Sequence, residues 1–262
     1  MANMTSSVSA SQVAGELASA TFEEIPALVE HYREDPRQQV IKACERALKR
    51  HDKELAERER VNDMYELMHE LGGDGMVVGV DEVGRGSVAG PLTVCAVCLP
   101  MEPRVWGIND SKKLTPARRE LLSVMIAEVA TAIGFCHIAP KDIDEMGMAR
   151  AIRTAVAGAV ADTGLEPDCV LMDGNPLGAV PNERDVVKGD AKIACIAAAS
   201  IMAKVTRDEM MVEYDAEYPE YHLAESKGYA SPEHIEAIRK HGLCPLHRVS
   251  FCGNFLQTER LF

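Results

Sequence analysis

Along this chain the hydrophobic positions change period near residue 75. Upstream they recur every three to four residues: Ile25, Leu28, Val29 and Tyr32, then Val40, Ile41, Ala43 and Leu48, then Val61, Met64, Leu67 and Met68. That spacing predicts helices over 22–71, with a break where Asp35-Pro36 cannot continue one. The stretch 51–60 alternates charge sign and predicts an exposed helical surface. Residues 1–20 are small and polar and are expected to lack regular structure. Gly72-Gly73-Asp74-Gly75 then punctuates the chain, separating a helical N-terminal extension, 1–74, from a main domain, 75–262.

Downstream, Met76–Val83 and Leu92–Leu99 are apolar, β-branched runs joined by a turn-rich link, the pattern of an antiparallel hairpin. Ala132–Ile138, Cys169–Met172 and Arg184–Val187 read as further strands. Helices are expected at Thr115–Thr131 (Thr115 as cap, Pro116 in the first turn), Met148–Asp162, Ala191–Tyr214 and Ser231–His241. The first half of Ala191–Tyr214 is small and apolar, so it should be buried. Strands alternating with helices predict an α/β fold, a mixed sheet flanked by helices, with a helical C-terminal part.

Composition changes this picture little, but charge does. Hydrophobic residues make up 47% of the 262, enough for a substantial core. The net charge is −13, and residues 1–74 carry 9 Lys+Arg against 15 Asp+Glu, so the acidity is not confined to one end. A polyanion would have to be met by local basic clusters. Two are visible: Lys112, Lys113, Arg118 and Arg119, and Lys188, Lys192, Lys204 and Arg207. The eight cysteines show no repeated ligand spacing. Cys95 and Cys98, three apart on a strand, should point to opposite faces as buried thiols. No run reaches transmembrane length, and the first residues lack a basic region followed by a long apolar one. A cytoplasmic monomer without membrane contact is expected.

The chemistry concentrates in Met76–Leu99. A buried strand delivers Asp81 and Glu82 into Gly84-Arg85-Gly86. Carboxylates at the end of a buried strand are costly without a compensating cation or proton, and a divalent metal bound through oxygens is an economical answer. Glycines let backbone approach a ligand, and an arginine between them suits phosphate. Metal, phosphate and bare backbone together suggest phosphodiester chemistry. Glu82 should face away from Asp81 on an ideal strand, so a bulge or bend is expected to re-aim it, unless it binds through backbone. Asp173, before Gly174, could start a turn; Asp190, before a long helix, could be its N-cap.

D-E-V-G-R-G, A-G-P, N-D-S-K-K-L, M-D-G, K-G-D, A-K-V-T-R-D, K-G-Y and H-R-x-S-F follow one another from about Val77 to Phe251. This ordered series resembles bacterial ribonuclease HII. One departure is Ser87, where the family usually has proline after G-R-G. The resemblance implies a ribonuclease H-like fold, with 75–262 as the catalytic domain. It implies Asp81, Glu82, Asp173 and Asp190 as catalytic residues and ligands of Mg²⁺ or Mn²⁺ in a two-metal mechanism. It implies Gly84, Arg85 and Gly86 reading the ribonucleotide at an RNA–DNA junction. Arg85 stands where ribonuclease HIII typically has lysine.

Further implications are Tyr229 packing on the next deoxyribose, and Ser111 and Lys112 contacting nucleic-acid backbone. By residue type alone, Tyr229 could equally be an ordinary packing aromatic. The implied activity is endonucleolytic cleavage of RNA in RNA–DNA hybrids and 5′ of single ribonucleotides in duplex DNA, leaving 3′-hydroxyl and 5′-phosphate ends. The implied roles are removal of misincorporated ribonucleotides and of RNA primers. The ending Gln257 to Phe262 resembles tail motifs that dock into the replication sliding clamp, one residue longer than usual; its Leu261 and Phe262 could instead pack on their own domain.

Overall fold

The computed structural model describes residues 8–256. They form two compact units, one through Asn62 and one from Asp63.

The first unit is helical: α1 (Ala10–Ser19), α2 (Ile25–His31) and most of α3 (Gln38–Gly72). Helix α1 replaces the unstructured segment expected over residues 10–19. Its cause is a capping box, in which Ser9 Oγ accepts from Gln12 N and Gln12 Oε1 accepts from Ser9 N. Val13, Leu17, Ile25, Val40, Ala43 and Ala47 form its core. The Arg50 guanidinium donates to the carbonyls of Leu17, Ala18 and Ala20, satisfying the end of α1. The division falls inside α3 because its last turns pack with the second unit: Met64, Tyr65 and Met68 are buried, and Tyr65 Oη accepts from Val105 N at 2.9 Å.

The second unit is built on a five-stranded sheet of order β3-β2-β1-β4-β5: β1 (Val77–Val83), β2 (Leu92–Cys98), β3 (Ala132–Ile138), β4 (Cys169–Asp173) and β5 (Glu183–Val186). The pairs β1–β2 and β2–β3 are antiparallel; β1–β4 and β4–β5 are parallel. Helices α4 (Pro116–Val129), α5 (Pro140–Met146), α6 (Met148–Asp162) and α7 (Ala194–Glu217) flank it, and α8 (Leu223–Ser226), α9 (Pro232–His241) and α10 (Val249–Cys252) complete the chain. Thr115 caps α4 through Arg118 N, as its position predicts.

One face of the sheet, including Val78, Val80, Val94, Ala96 and Cys98, packs on Ile152, Ala155, Val156 and Ala159 of α6. On the other, Ala194–Ile201 of α7 is buried against β1 and β2. Gly79 permits this approach, since a Cβ there would collide with the backbone of Cys195 and Ile196. Cys95 and Cys98 are both buried and unpaired, with Cys98 in the α6-side core. Among the described residues no helix is long and apolar enough to cross a membrane.

Candidate active site

Strand β1 runs in regular register through Asp81 and Glu82, opposite Cys95 and Val94. The expected bulge is therefore absent, and the pleat alone separates the two side chains. Asp81 is 8% exposed and has Ser200 of α7 beside it, whose hydroxyl favours the ionised carboxylate against the larger effect of burial. Ser200 Oγ is in turn 3.0 Å from Ser111 Oγ. Glu82 lies one residue on and is paired with Arg85 at 3.3 Å.

Asp173 ends β4, the strand beside β1. It accepts from Gly189 N at 2.7 Å and so holds the turn that carries Asp190. Asp190 does not cap α7: that helix starts at Ala194 after Ile193, and Asp190 sits earlier, in a 3₁₀ turn, Gly189–Ala191. The four carboxylates thus come from two adjacent strand ends and one following turn.

Their electrostatics show that they form one group. Burial, then the neighbouring charges of Glu82 and Asp173, push the Asp81 carboxyl up to about 8. Burial also raises Glu82, with Arg85 opposing and Asp173 adding to the rise. Burial and the Asp173 charge raise Asp190, opposed by Lys112. The Lys112 ammonium is exposed and lies 3.9 Å from Asp190 Oδ2. Among the described residues no three His, Cys, Asp or Glu side chains, as they stand, converge closely enough to hold a metal ion.

Beside the carboxylates, Gly84 is buried with φ +83°, and Gly86 is exposed with nothing in the protein within 4 Å of where its Cβ would be. Neither packing nor a positive φ asks for glycine at Gly86. This turn is pinned from behind by two fully buried arginines. Arg207 donates to Pro91 O, Lys227 O, Ala89 O and Ser87 Oγ at 2.8–3.0 Å. Arg248 donates to Gly90 O and Arg85 O at 2.9–3.1 Å. Ser87, buried, also donates to Gly84 O at 2.8 Å, so its hydroxyl braces the turn.

The Lys227-Gly228-Tyr229 turn is held at each carbonyl: Lys227 O by Arg207, Gly228 O by Val88 and Ala89 N–H, and Tyr229 O by Ser231 N–H and His234. The Tyr229 ring is 40% exposed, with the Arg207 guanidinium 5.8 Å from its centroid.

Arg207 therefore does not belong to a phosphate-binding cluster; as a buried tie it has no face left for one. Lys204 is paired with Asp208 at 2.6 Å and Lys192 donates to Val187 O. Arg119 holds the carbonyls of Ser111 and Leu114. Ser111 is 5% exposed with its hydroxyl turned to Ser200, whereas Lys112 beside it is exposed. Ser200, Arg207, His234, His247 and Arg248 are the contributors that the sequence reading passed over or misplaced. The H-R of H-R-x-S-F signalled His247 and Arg248, and the R of A-K-V-T-R-D signalled Arg207; Ser200 and His234 had none.

The ribonuclease HII family model matches residues 78–254, and the ribonuclease HII N-terminal domain model matches residues 9–71. The chain belongs to the ribonuclease HII family. A ribonuclease HII of Ruminiclostridium cellulolyticum is 43% identical over 211 residues, covering 79% of this chain and 82% of the relative. Among solved structures, ribonuclease H2 of Pyrococcus horikoshii is similar with a TM-score of 0.59 at 27% identity, covering 70% of this chain and 99% of that one. The ribonuclease HII of Archaeoglobus fulgidus, solved in complex with PCNA, gives 0.59 at 25% identity, covering 71% and 98%. The family assigns an endoribonuclease of the ribonuclease H type, acting on the RNA of RNA–DNA hybrids. The mixed sheet with flanking helices is the ribonuclease H-like fold.

Proposed function

We propose that this chain cleaves the phosphodiester 5′ of a ribonucleotide, both in hybrids and at single ribonucleotides embedded in duplex DNA, leaving 3′-hydroxyl and 5′-phosphate ends. The observation that carries this reading is the pairing of a carboxylate group, with Asp81 buried and lacking a cation partner, with a braced glycine turn whose Gly86 faces open space. A 2′-hydroxyl is the group that distinguishes RNA from DNA at one sugar, and bare backbone can both donate to it and accept from it.

The donor set fits a divalent ion of the magnesium type. Asp81, Glu82, Asp173 and Asp190 offer hard oxygens, and the raised Asp81, Glu82 and Asp190, which a cation would lower, support that role. Magnesium keeps several waters and needs no closed cage. These carboxylates would hold Mg²⁺ or Mn²⁺, which would supply activation of a water and stabilisation of the departing 3′ oxygen.

The chain's own part is to orient and bind. Ser200, tied to Ser111, favours the ionised form of Asp81. Arg85, freed from Glu82, and Lys112 meet substrate phosphates. Gly84, Arg85 and Gly86 present backbone to the ribose, and the Tyr229 ring packs on the following deoxyribose. A 2′-hydroxyl on that next sugar disturbs the contact, which favours an isolated ribonucleotide.

Incubation with a duplex bearing one ribonucleotide, with and without Mg²⁺, followed by end mapping, tests this. Metal-dependent incision 5′ of the ribonucleotide is expected; cleavage of long hybrids alone overturns the embedded-ribonucleotide reading. The tail, Gln257–Phe262, lies outside the described residues. A clamp-docking role for it draws support from the Archaeoglobus fulgidus complex with PCNA. Deleting these six residues should abolish association with a bacterial clamp and leave cleavage of short duplexes unchanged; retained association removes the role.

A further inference from the structure

Two histidines that the cleavage chemistry does not use face each other in the C-terminal part. His234 Nε2 and His247 Nε2 are 3.1 Å apart, and the residues are 0% and 3% exposed. The partner on the far side of each ring assigns its hydrogen. Cys244 N–H donates to His247 Nδ1 at 3.0 Å, so His247 carries its hydrogen on Nε2. His234 Nδ1 is 2.9 Å from Tyr229 O, which can only accept, so His234 carries its hydrogen on Nδ1 and leaves Nε2 bare. One directed chain results: Cys244 N–H to His247, His247 to His234, His234 to the Tyr229 carbonyl. It requires both rings neutral, and burial lowers both, His247 to about 4.

The far end of this chain is anchored to the segment that follows the glycine turn. His247 forms a β-bridge with Ala89, Gly90 N donates to Leu246 O at 2.8 Å, and Arg248 N donates to Val88 O at 2.8 Å. The histidine pair therefore adds a tie between the backbone behind Gly84–Gly86 and the Tyr229 carbonyl, beside those that Arg207 makes to Lys227 O and that Val88 and Ala89 N–H make to Gly228 O. Tyr221 packs edge-on against both rings, at 4.8 Å from His247 and 6.3 Å from His234, and closes the pocket around them.

We propose that His234 and His247 are positioning residues for substrate choice: their hydrogen-bonded pair sets where Tyr229 stands relative to the Gly84–Gly86 turn. This rests on the reading of Tyr229 given above. The pair touches no substrate. It acts through the Tyr229 backbone, so its loss should change discrimination between substrates more than cleavage itself.

The test compares kcat/KM on a single-ribonucleotide duplex and on a long RNA–DNA hybrid for wild type, Tyr229→Ala, His234→Leu and His234→Asn. Leucine removes the donor at similar volume; asparagine places an amide N–H near the Nδ1 position. His234→Leu should lower the ratio of single-ribonucleotide to hybrid cleavage roughly three-fold or more, as loss of about one hydrogen bond implies. His234→Asn should recover most of that ratio. Equal losses on both substrates, or no recovery with asparagine, overturn the proposal. If Tyr229→Ala shifts the ratio and His234→Leu does not, the relay alone is wrong. If Tyr229→Ala leaves the ratio unchanged, the reading of Tyr229 fails and the relay's purpose with it. Should His234→Leu fail to fold, imidazole ¹⁵N shifts of the wild type near neutral pH decide. Opposite tautomers, Nδ1–H in His234 and Nε2–H in His247, are expected; matching tautomers or an imidazolium overturn it.

Discussion

At Asp81 a carboxyl is buried with no cation beside it and burial favours its neutral form; at Arg207 and Arg248 positive charge is buried with hydrogen bonds to neutral oxygens. The carboxylate side is left unresolved, with Asp81 pushed up to about 8 by burial and by Glu82 and Asp173. The guanidinium side is resolved with carbonyls and one hydroxyl, seven hydrogen bonds in all, although burial still lowers Arg248 to about 10. A buried charge with most of its hydrogen-bonding capacity used is scaffold; one left short of partners is a place for a ligand. The two regions are joined by the Gly84–Gly86 turn, so the scaffold shapes what the unresolved charge can reach.

The sharpest way to break this contrast is to neutralise one member of each region. Asp81→Asn should cut metal-dependent cleavage by at least about 10²–10³-fold while leaving the metal-free fold as stable as wild type or more so. A kinetic assay paired with a melt checks both; substantial cleavage by the variant would remove Asp81 from the site. Arg207→Met should do the reverse, lowering stability by roughly 3–5 kcal/mol because it strands several buried acceptors. Chemical denaturation reads this directly, and an unchanged midpoint would mean that the guanidinium is not a structural tie.

The regions should also respond to pH with opposite signs. The Asp81 carboxyl is raised in the fold, so its contribution is fully present below about pH 4 and is lost as pH rises towards 8. The stability gap between Asp81→Asn and the metal-free wild type should therefore widen by a few kcal/mol from pH 5 to pH 8, and close when Mg²⁺ is added. His247 is depressed to about 4, so its contribution is complete above about pH 6.5 and falls as pH drops towards 4, by at most about 3 kcal/mol. Urea titrations across this range, with and without Mg²⁺, separate the two limbs; a gap that does not depend on Mg²⁺ would uncouple Asp81 from the metal. The smallest expected effect is at the exposed ring on the scaffold. Tyr229→Ala should shift the preference for a single ribonucleotide over a long hybrid by about 1 kcal/mol, roughly five-fold, with no change in melting. Equal losses on both substrates would make Tyr229 a packing residue.

Much of the second unit was legible because its signals are local. β-branched runs marked β1 and β2, Thr115-Pro116 marked the start of α4, and the acid-glycine motifs marked the four carboxylates. What escaped depends on partners distant in sequence. Ser200 sits in a run of small residues, and its role exists only because Gly79 admits α7. Arg207 looked like a surface cation because residue type predicts exposure, and burial is decided by carbonyls over a hundred positions away. The expected bulge at Glu82 assumed that all four carboxylates had to share one pleat face. Asp173, at the end of the adjacent strand, couples to carboxylates on both faces instead. Helix α1 was legible after all, since Ser9 and Gln12 carry a capping-box spacing that composition obscured.

Arg248 has a consequence in the order of assembly. Its bonds to Arg85 and Gly90 close loops of 163 and 158 residues, and those of Arg207 close loops of up to 120. During synthesis the strand bearing Asp81 and Glu82 emerges long before the residues that brace the turn beside it. Loop closure of that length is slow, and chains emerge at only about 5–20 residues per second. The nascent chain thus holds its acids for many seconds without a formed reading turn. On the proposed reading of that turn, substrate discrimination would be completed only once Arg207 and Arg248 have closed on it.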